Sequence, residues 1–392
     1  MIHLLLTMPG VSCTLLRAIP KLIVPYVDCK VNAQIAGMGK EVEMSQLTIE
    51  DIARLAGISR STVSRVINNH PSVRPAVRER VLSVINEQGY APQAAARQLV
   101  TQRTHIIGVL FPRSAHFLLD NPIFASIGQG IGQACAQHGY IPMLSLSLRE
   151  MEQHMLLNML RSRHFDGVVL VSSERDDPIQ IFLEEAHIPY ARIGHDPGRT
   201  DPCYVAIDET EGAYKAVKHL ISLGHQRIGV IKGPAWETCT PQRLEGYTRA
   251  LGEAGLPFDP DLVAEGDWLH TSGYDAMQQF LYLPQPPTAV FSMNDMMAAG
   301  VLHTLYEHGL RVPDDIAIVG FDDVPQTRII IPPLTTIRQP SSEMGLRATE
   351  MLIAQLEGKE CEPSHLILPT TLVVRQSCGA KPQPIRSAQI KK

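Results

Sequence analysis

The 392-residue sequence lacks the signatures that would place it in a common enzyme class. It has no HExxH, no GxSxG and no phosphate loop ending in GKS or GKT, so no enzymatic activity is expected. Its seven cysteines (Cys13, Cys29, Cys135, Cys203, Cys239, Cys361 and Cys378) are scattered, without a CxxC pair or a Cys/His metal spacing. Odd number and dispersal fit reduced thiols rather than a disulfide framework, and neither metal nor cofactor is expected. Long unbroken apolar runs are missing from the N-terminus: residues 1–25 are moderately apolar but interrupted by Pro9, Gly10, Arg17, Pro20 and Lys21. Such a segment is too broken to span a membrane and is a poor export signal, so a cytoplasmic protein with no membrane partner is expected. Codons for Gly39-Lys40-Glu41-Val42 can spell a purine-rich ribosome-binding site just before Met44. Residues 1–46 are therefore expected to be a non-native or disordered extension, with translation starting at Met44.

Lysine is also missing from residues 47–104, where eight arginines face four acids, a balance of about +4 in a chain whose net charge is -5. A small basic module on an acidic body suits a protein that touches nucleic acid through one end. Within it, residues 47–68 read LTIEDIARLAGISRSTVSRVIN. Thr48 and Asp51 have capping-box spacing, and Ile49, Ile52, Ala53 and Leu55 are read as the inward face of a first helix. Ala56 and Gly57 suit a tight turn. Ser59 then caps a second helix, held to the first by Val63, Val66 and Ile67. Its other face presents Arg60, Ser61, Thr62, Ser64, Arg65 and Asn68, the side chains that pair with base edges and phosphates. A helical hairpin with a solvated polar face is the plain alternative, but turn chemistry, small-residue placement and the polar face all agree on a helix-turn-helix that reads DNA. Residues 75–88 read as a third helix, with Val77, Val81, Leu82, Val84 and Ile85 inward and Gly89 as its stop.

The pattern breaks at Tyr90-Ala91-Pro92. Residues 93–101 (QAAARQLVT) form an alanine-rich stretch too short to be a stable helix alone. From His105 strands and helices alternate. Strand-like runs cover 106–111, 142–147, 167–171, 190–193, 227–231, 289–292 and 316–321, and helical stretches include 124–138, 151–161, 210–223 and 295–307. This is βαβ alternation, implying parallel sheets with helices on both faces. The strands are too many for one comfortable sheet, so two doubly wound lobes with a cleft are expected, ligands binding beyond the carboxyl ends of the strands. Gly128, Gly130 and Gly132 fall inside a helical pattern and read as small packing residues, not as a dinucleotide site. The domain reading is an extension over 1–46, a DNA-binding domain over 47–91, a hinge and linker over 92–104, an effector-binding and dimerisation domain over 105–380, and a flexible tail over 381–392. That tail has no apolar heptads.

These residues closely resemble the LacI/GalR (lactose-repressor) family of bacterial transcription regulators. The resemblance is carried by the helix-turn-helix and by HLISLGHQRIGVIKGP (219–234), MNDMMAAGV (293–301), VPDDIAIVGFDD (312–323) and PPLTTIRQP (332–340). It implies an α/β fold: an N-terminal three-helix DNA-binding domain plus a two-lobed, doubly wound effector domain like that of periplasmic binding proteins. It places Arg60 and Ser61 where relatives vary their base contacts and Arg65 at a base or phosphate contact, with Thr48, Ser59, Thr62, Ser64 and Asn68 contacting phosphates or supporting the helix. Residues 93–101 look like a hinge helix that folds in the minor groove, with Leu99 as a wedge between central base pairs. Gln93 departs from the Asn that many members carry. Arg243, Asn294 and Asp322 match residues facing an effector cleft, where a guanidinium, an amide and a carboxylate bracket adjacent hydroxyls. Trp268 matches an aromatic stacking position, Asn121, Pro122 and Phe124 a closing loop, and Arg192 and His195 a loop lining the cleft, although core packing for Trp268 and a solvent position for His195 remain open. The expectation is a homodimeric repressor whose affinity for operator DNA is set by a small effector, most simply a sugar; a nucleobase or nucleoside effector, and a solute receptor that binds no DNA, are the alternatives.

Overall fold

The structure is a computed structural model describing residues 47–67, 70–90, 103–111, 114–145, 158–162, 164–172, 174–199, 203–359 and 363–380. The expected hinge with Leu99, and Asn68 at the end of the recognition helix, lie outside the described residues. Internal contacts divide the chain after Pro92 into two units.

The first unit holds α1 (Ile49–Ala56), α2 (Arg60–Ile67) and α3 (Pro75–Gln88). The capping box forms: the Thr48 hydroxyl accepts from the Asp51 amide at 3.3 Å, while the Asp51 carboxylate accepts from the Thr48 amide at 3.0 Å. Gly57 ends α1 at φ 66°, a left-handed conformation that glycine adopts without steric cost. Ser59 Oγ accepts from the Thr62 amide at 3.2 Å and so starts α2. Ile52, Ala53, Ala56, Val63, Val66 and Val81 make the buried core. Leu55 and Leu82, read as inward, are instead 49% and 44% exposed. The cause is helical phase: Ile49, Ile52, Ala53 and Ala56 complete the i, i+3, i+4, i+7 stripe of α1, and Val81, Val84 and Ile85 (i, i+3, i+4) make that of α3, leaving each leucine off the stripe.

The second unit contains two six-stranded sheets. In chain order its elements are β1 (Ile106–Leu110), α4 (Ala115–Asp120), α5 (Ile123–His138), β2 (Ile141–Ser145), β3 (Gly167–Val171), α6 (Pro178–Glu185), β4 (Tyr190–Ile193), β5 (Tyr204–Ile207), α7 (Glu209–Ser222), β6 (Ile228–Lys232), α8 (Cys239–Glu253), β7 (Val263–Glu265), α9 (His270–Leu281), β8 (Ala289–Ser292), α10 (Asp295–Glu307), β9 (Ala317–Asp322), β10 (Thr335–Arg338), α11 (Ser341–Leu356), β11 (His365–Leu368) and β12 (Thr371–Val373). The sheets run β11-β5-β4-β3-β1-β2 and β12-β10-β9-β8-β6-β7, parallel except for the β10–β12 pair. Strands such as β3 (GVVLV), buried at every position, read as continuous apolar runs because helices cover both faces. The strands absent from the sequence reading (β5, β7, β10, β11 and β12) have only three or four residues each, although β4 and β8, equally short, were read. The chain crosses between lobes three times, after β5, after β10 and after β11.

Close helix packing frames each lobe. A Cβ on Gly130 of α5 would lie 1.8 Å from the Ser342 carbonyl oxygen of α11, and one on Gly345 would lie 2.2 Å from that of Ile127. Gly130 is thus a packing residue as the sequence suggested, whereas Gly128 and Gly132 face open space.

Candidate functional site

The ends of the strands meet a cleft between the lobes that encloses a cavity of about 140 Å³. Asp322 stands at the end of β9, and Ser172, Gly194, Glu209, Glu237, Trp268, Asn294 and Gln339 follow β3, β4, β5, β6, β7, β8 and β10. Every one lies at or beyond a carboxyl edge, where doubly wound sheets bind ligands. Phe117 and Phe124 come from α4 and α5, Asn121 from the turn between them, and Arg243 from the second turn of α8.

Arg243 is almost fully buried, yet none of its charge is uncompensated. Its Nε donates to Glu209 Oε2 at 2.7 Å, Nη1 donates to the Met293 carbonyl, and the guanidinium lies 3.7 Å from the centre of the Phe321 ring. Burial works against its charge, but Glu209 and Asp322 hold its pKa above the ordinary value. Trp268 is fixed on several sides. Its indole N–H donates to Glu237 Oε1 at 2.6 Å, and its carbonyl accepts from Asn294 Nδ2 at 2.8 Å. A Cβ on Gly233 would sit 1.9 Å from the ring, so only glycine leaves room for the indole. The Trp268 backbone has φ 72° and that of Asp322 φ 125°, costly for side-chain-bearing residues and maintained by surrounding contacts. Asn294 also caps α10 through the Met297 amide at 2.9 Å.

Asp322 lines the cavity, and a second buried carboxyl, Asp295, lies close enough to feel its charge. Asp322 is pushed up to about 7 by burial, against the opposing pull of Arg243 and the Gln339 amide, which donates to it at 2.5 Å. Asp295 is raised well above the carboxylate range, first by burial and then by the charge of Asp322, although Thr336 and the Val324 amide donate to it at 2.6 and 3.0 Å. Next in sequence, Asp323 goes the other way. Burial would raise it, but hydrogen bonds from Arg375 and Arg338 hold it below its ordinary value.

In the three-helix unit, Arg60, Ser61 and Arg65 are exposed along one side of α2, with Thr62 and Ser64 half-buried between them. Arg60 pairs with Glu50 at 2.9 Å, and Ser59 Oγ lies within hydrogen-bonding distance of the Ser61 and Thr62 hydroxyls, at 2.9 and 2.8 Å. Thr48 is held at the start of α1 by its cap.

Residues 48–93 match the family described as bacterial regulatory proteins, lacI family, and residues 217–378 match a periplasmic binding protein-like domain. The HTH-type transcriptional regulator CelR of Thermobifida fusca is 39% identical over 84% of this chain and 98% of its own length. The HTH-type transcriptional repressor PurR of Escherichia coli is 37% identical over 86% of this chain and 98% of its own. This chain belongs to the lacI family. Two solved structures agree with that membership. One is a CelR–cellobiose complex (TM-score 0.67, 37% identity, 84% of this chain and 99% of that one). The other is the lac repressor dimer bound to operator and the anti-inducer ONPF (TM-score 0.75, 30% identity, 85% and 99%). The LacI-type chain is therefore a DNA-binding transcriptional regulator built from a helix-turn-helix domain and a ligand-binding, periplasmic-binding-protein-like domain, and no helix among the described residues is long and apolar enough to cross a membrane.

Of the cleft residues named from the LacI resemblance, Asn121, Phe124, Arg243, Trp268, Asn294 and Asp322 line one cavity. Arg192 and His195 do not. Arg192 lies inside β4 rather than on a loop, fully buried, and spends its donors on the Ser172 and Glu174 carbonyls (3.2 and 3.0 Å) and on Gln180. His195 stacks on Tyr204 with ring centres 4.3 Å apart. The β4 edge reaches the cavity through Ile193 and Gly194 instead. The sequence reading missed Glu209, Glu237 and Gln339, each one or two residues past a strand or in a loop after one. The rule that ligands sit beyond carboxyl ends would have found Glu209 had β5 been recognised.

Proposed function

We propose that this regulator is a repressor that binds a pseudo-palindromic operator as a homodimer and is controlled by a small sugar held in the interlobe cleft. The observation that carries the sugar reading is the convergence of Arg243, Asn294 and Asp322 with the Trp268 ring on one cavity. A guanidinium, an amide and a carboxylate bracket vicinal hydroxyls, while an indole face covers the apolar side of a pyranose. The relative solved with cellobiose supports the same ligand class. On the DNA side, Arg60, Ser61 and Arg65 of α2 read base edges and phosphates, with Thr48, Ser59, Thr62, Ser64 and Asn68 supporting and Leu99 as the proposed minor-groove wedge. Two such helices in successive major grooves require two-fold symmetry, and the lac repressor relative is a dimer on its operator. Among the described residues the edge strand β2 exposes Ile141, Met143 and Leu144, an apolar strip suited to a second copy.

Control follows from linkage. A ligand that prefers one lobe arrangement shifts the population toward it, and a coupling of about 1–3 kcal/mol changes operator affinity roughly five- to 150-fold. The test is calorimetry with cellobiose, other mono- and disaccharides, and adenosine, followed by operator titration with and without each ligand that binds. Cellobiose or another sugar binding the wild type but not Arg243→Ala, and altering operator affinity, is the expected result. Binding of adenosine alone would replace the ligand class while leaving the regulator intact.

A further inference from the structure

Glu237 lies where the walls of the two lobes touch. It follows β6 in one lobe and forms an isolated antiparallel bridge with Glu174, which follows β3 in the other. Beside that bridge the Arg175 amide donates to the Trp236 carbonyl across the lobes at 3.4 Å. These contacts are separate from the three chain crossings and lie on the cleft wall, since Glu174 and Glu237 both line the cavity.

Each end of this contact is anchored. In the first lobe, Arg192 holds the carbonyls of Ser172 and Glu174, fixing the loop that presents the bridge. In the second, the Glu237 side chain is 4% exposed and its Oε1 accepts the Trp268 indole N–H at 2.6 Å. Trp268 is in turn tied through its carbonyl to Asn294, the cap of α10. The residue whose backbone bridges the lobes is thus the residue whose side chain holds the ring on the cavity wall.

We propose that Glu237 is a positioning residue tying occupancy of the cleft to engagement of the lobes: ligand packed on Trp268 fixes the indole, the indole fixes Glu237, and Glu237 carries the bridge to Glu174. This rests on the cleft being the effector site. It gives the path a defined two-state element, bridge made or bridge broken, which both the ligand and the lobe angle bias. The indole–carboxylate bond is the sensitive joint, because it is short and buried and its loss frees the Glu237 side chain from the ring.

The test reads the far lobe and needs no ligand. Amide hydrogen exchange at Arg175 is measured in the full chain for the wild type, Trp268→Phe, Glu237→Ala and Glu237→Gln, with the Val169 amide in β3 as an internal control. Trp268→Phe keeps an aromatic ring but removes the indole donor, and Glu237→Gln keeps an accepting oxygen. Exchange at Arg175 is expected to be roughly tenfold faster in Trp268→Phe and Glu237→Ala and close to wild type in Glu237→Gln, with Val169 unchanged. Unchanged Arg175 exchange in Trp268→Phe overturns the proposal, as does equal acceleration at Val169, which would mean general loosening of the lobe. The sugar reading fails separately, if no sugar binds in calorimetry.

Discussion

The three-helix unit and the cleft put their chemistry in opposite environments. On α2, Arg60, Ser61 and Arg65 are exposed and the small core beneath them is purely apolar. In the cleft, Arg243, Trp268, Asn294 and Asp322, the proposed effector contacts, are all at least nine-tenths buried and each also serves the fold. Arg243 compensates Glu209, Asn294 caps α10, and Trp268 holds Glu237. On α2 the exposed side chains stand apart from the apolar core, whereas in the cleft the same side chains carry the fold and the proposed function together. Substitutions therefore separate the regions by how much stability each functional side chain carries.

The largest effect is expected at Arg243. Arg243→Ala leaves Glu209 and Asp322 without their shared cation in a buried site, and breaking a buried pair in this way costs about 3–5 kcal/mol. Denaturant unfolding with constant slope would report it. A loss near zero would mean that the cleft is hydrated enough to behave like the DNA face, and the contrast between regions would collapse.

Next comes Asp322. Its folded pKa of about 7 lies above the ordinary carboxylate value, so its contribution is fully present at low pH and is lost as pH rises through 7. Asp322→Asn removes the burden of a buried charge. The variant should gain stability relative to wild type as pH rises from 5 to 8, by roughly 2 kcal/mol, allowing for relaxation of the site. Melting curves across that range measure it, and a pH-independent difference would show that Asp322 titrates like an exposed carboxylate. Asp295, raised by the same burial and by the charge of Asp322, should shift down in the variant.

How much was legible follows the same division. The capping box, the Gly57 turn, the Ser59 cap and α3 over Pro75–Gln88 with its Gly89 stop follow from local chemistry, and the structure has them where the spacing put them. The β3, β4 and β8 spans and the bounds of α10 are likewise as read, because buried parallel strands and capped helices mark themselves. Leu55 and Leu82 were misplaced because hydrophobicity alone does not settle helical phase in a three-helix unit whose core is only six side chains. In the cleft, motif resemblance brought Arg243, Asn294, Asp322 and Trp268 together. It did not reveal that Arg192 turns back into its own lobe, since the direction of a strand residue depends on register within the sheet. Glu237 was invisible for a further reason: its partners Trp268 and Glu174 are distant in sequence, and no local pattern joins them.

A smaller effect is expected at Thr48. Its hydroxyl and the Asp51 carboxylate satisfy donors at the start of α1, and Thr48→Ala should cost about 1 kcal/mol in thermal unfolding of the DNA-binding unit. A null result would mean that the Asp51 carboxylate, still accepting from the residue-48 amide, suffices alone.

The smallest stability effect, and the sharpest test of the contrast, is at Arg60. It is exposed and pairs with Glu50, also exposed, an ion pair of the kind that contributes little. Arg60→Ala should leave unfolding within about 0.5 kcal/mol of wild type. Its effect on DNA should be much larger: loss of a bidentate base contact costs about 1–3 kcal/mol and relaxes preference at one operator position, whereas loss of a phosphate contact weakens all sequences alike and lowers the salt slope by about 1. Titration of operator and position-substituted duplexes at several salt concentrations distinguishes these outcomes. Uniform weakening would move Arg60 from base reading to backbone positioning while keeping the division of labour. A stability loss as large as that of Arg243→Ala would remove the division itself, because the DNA face would then carry the fold in the same way as the cleft.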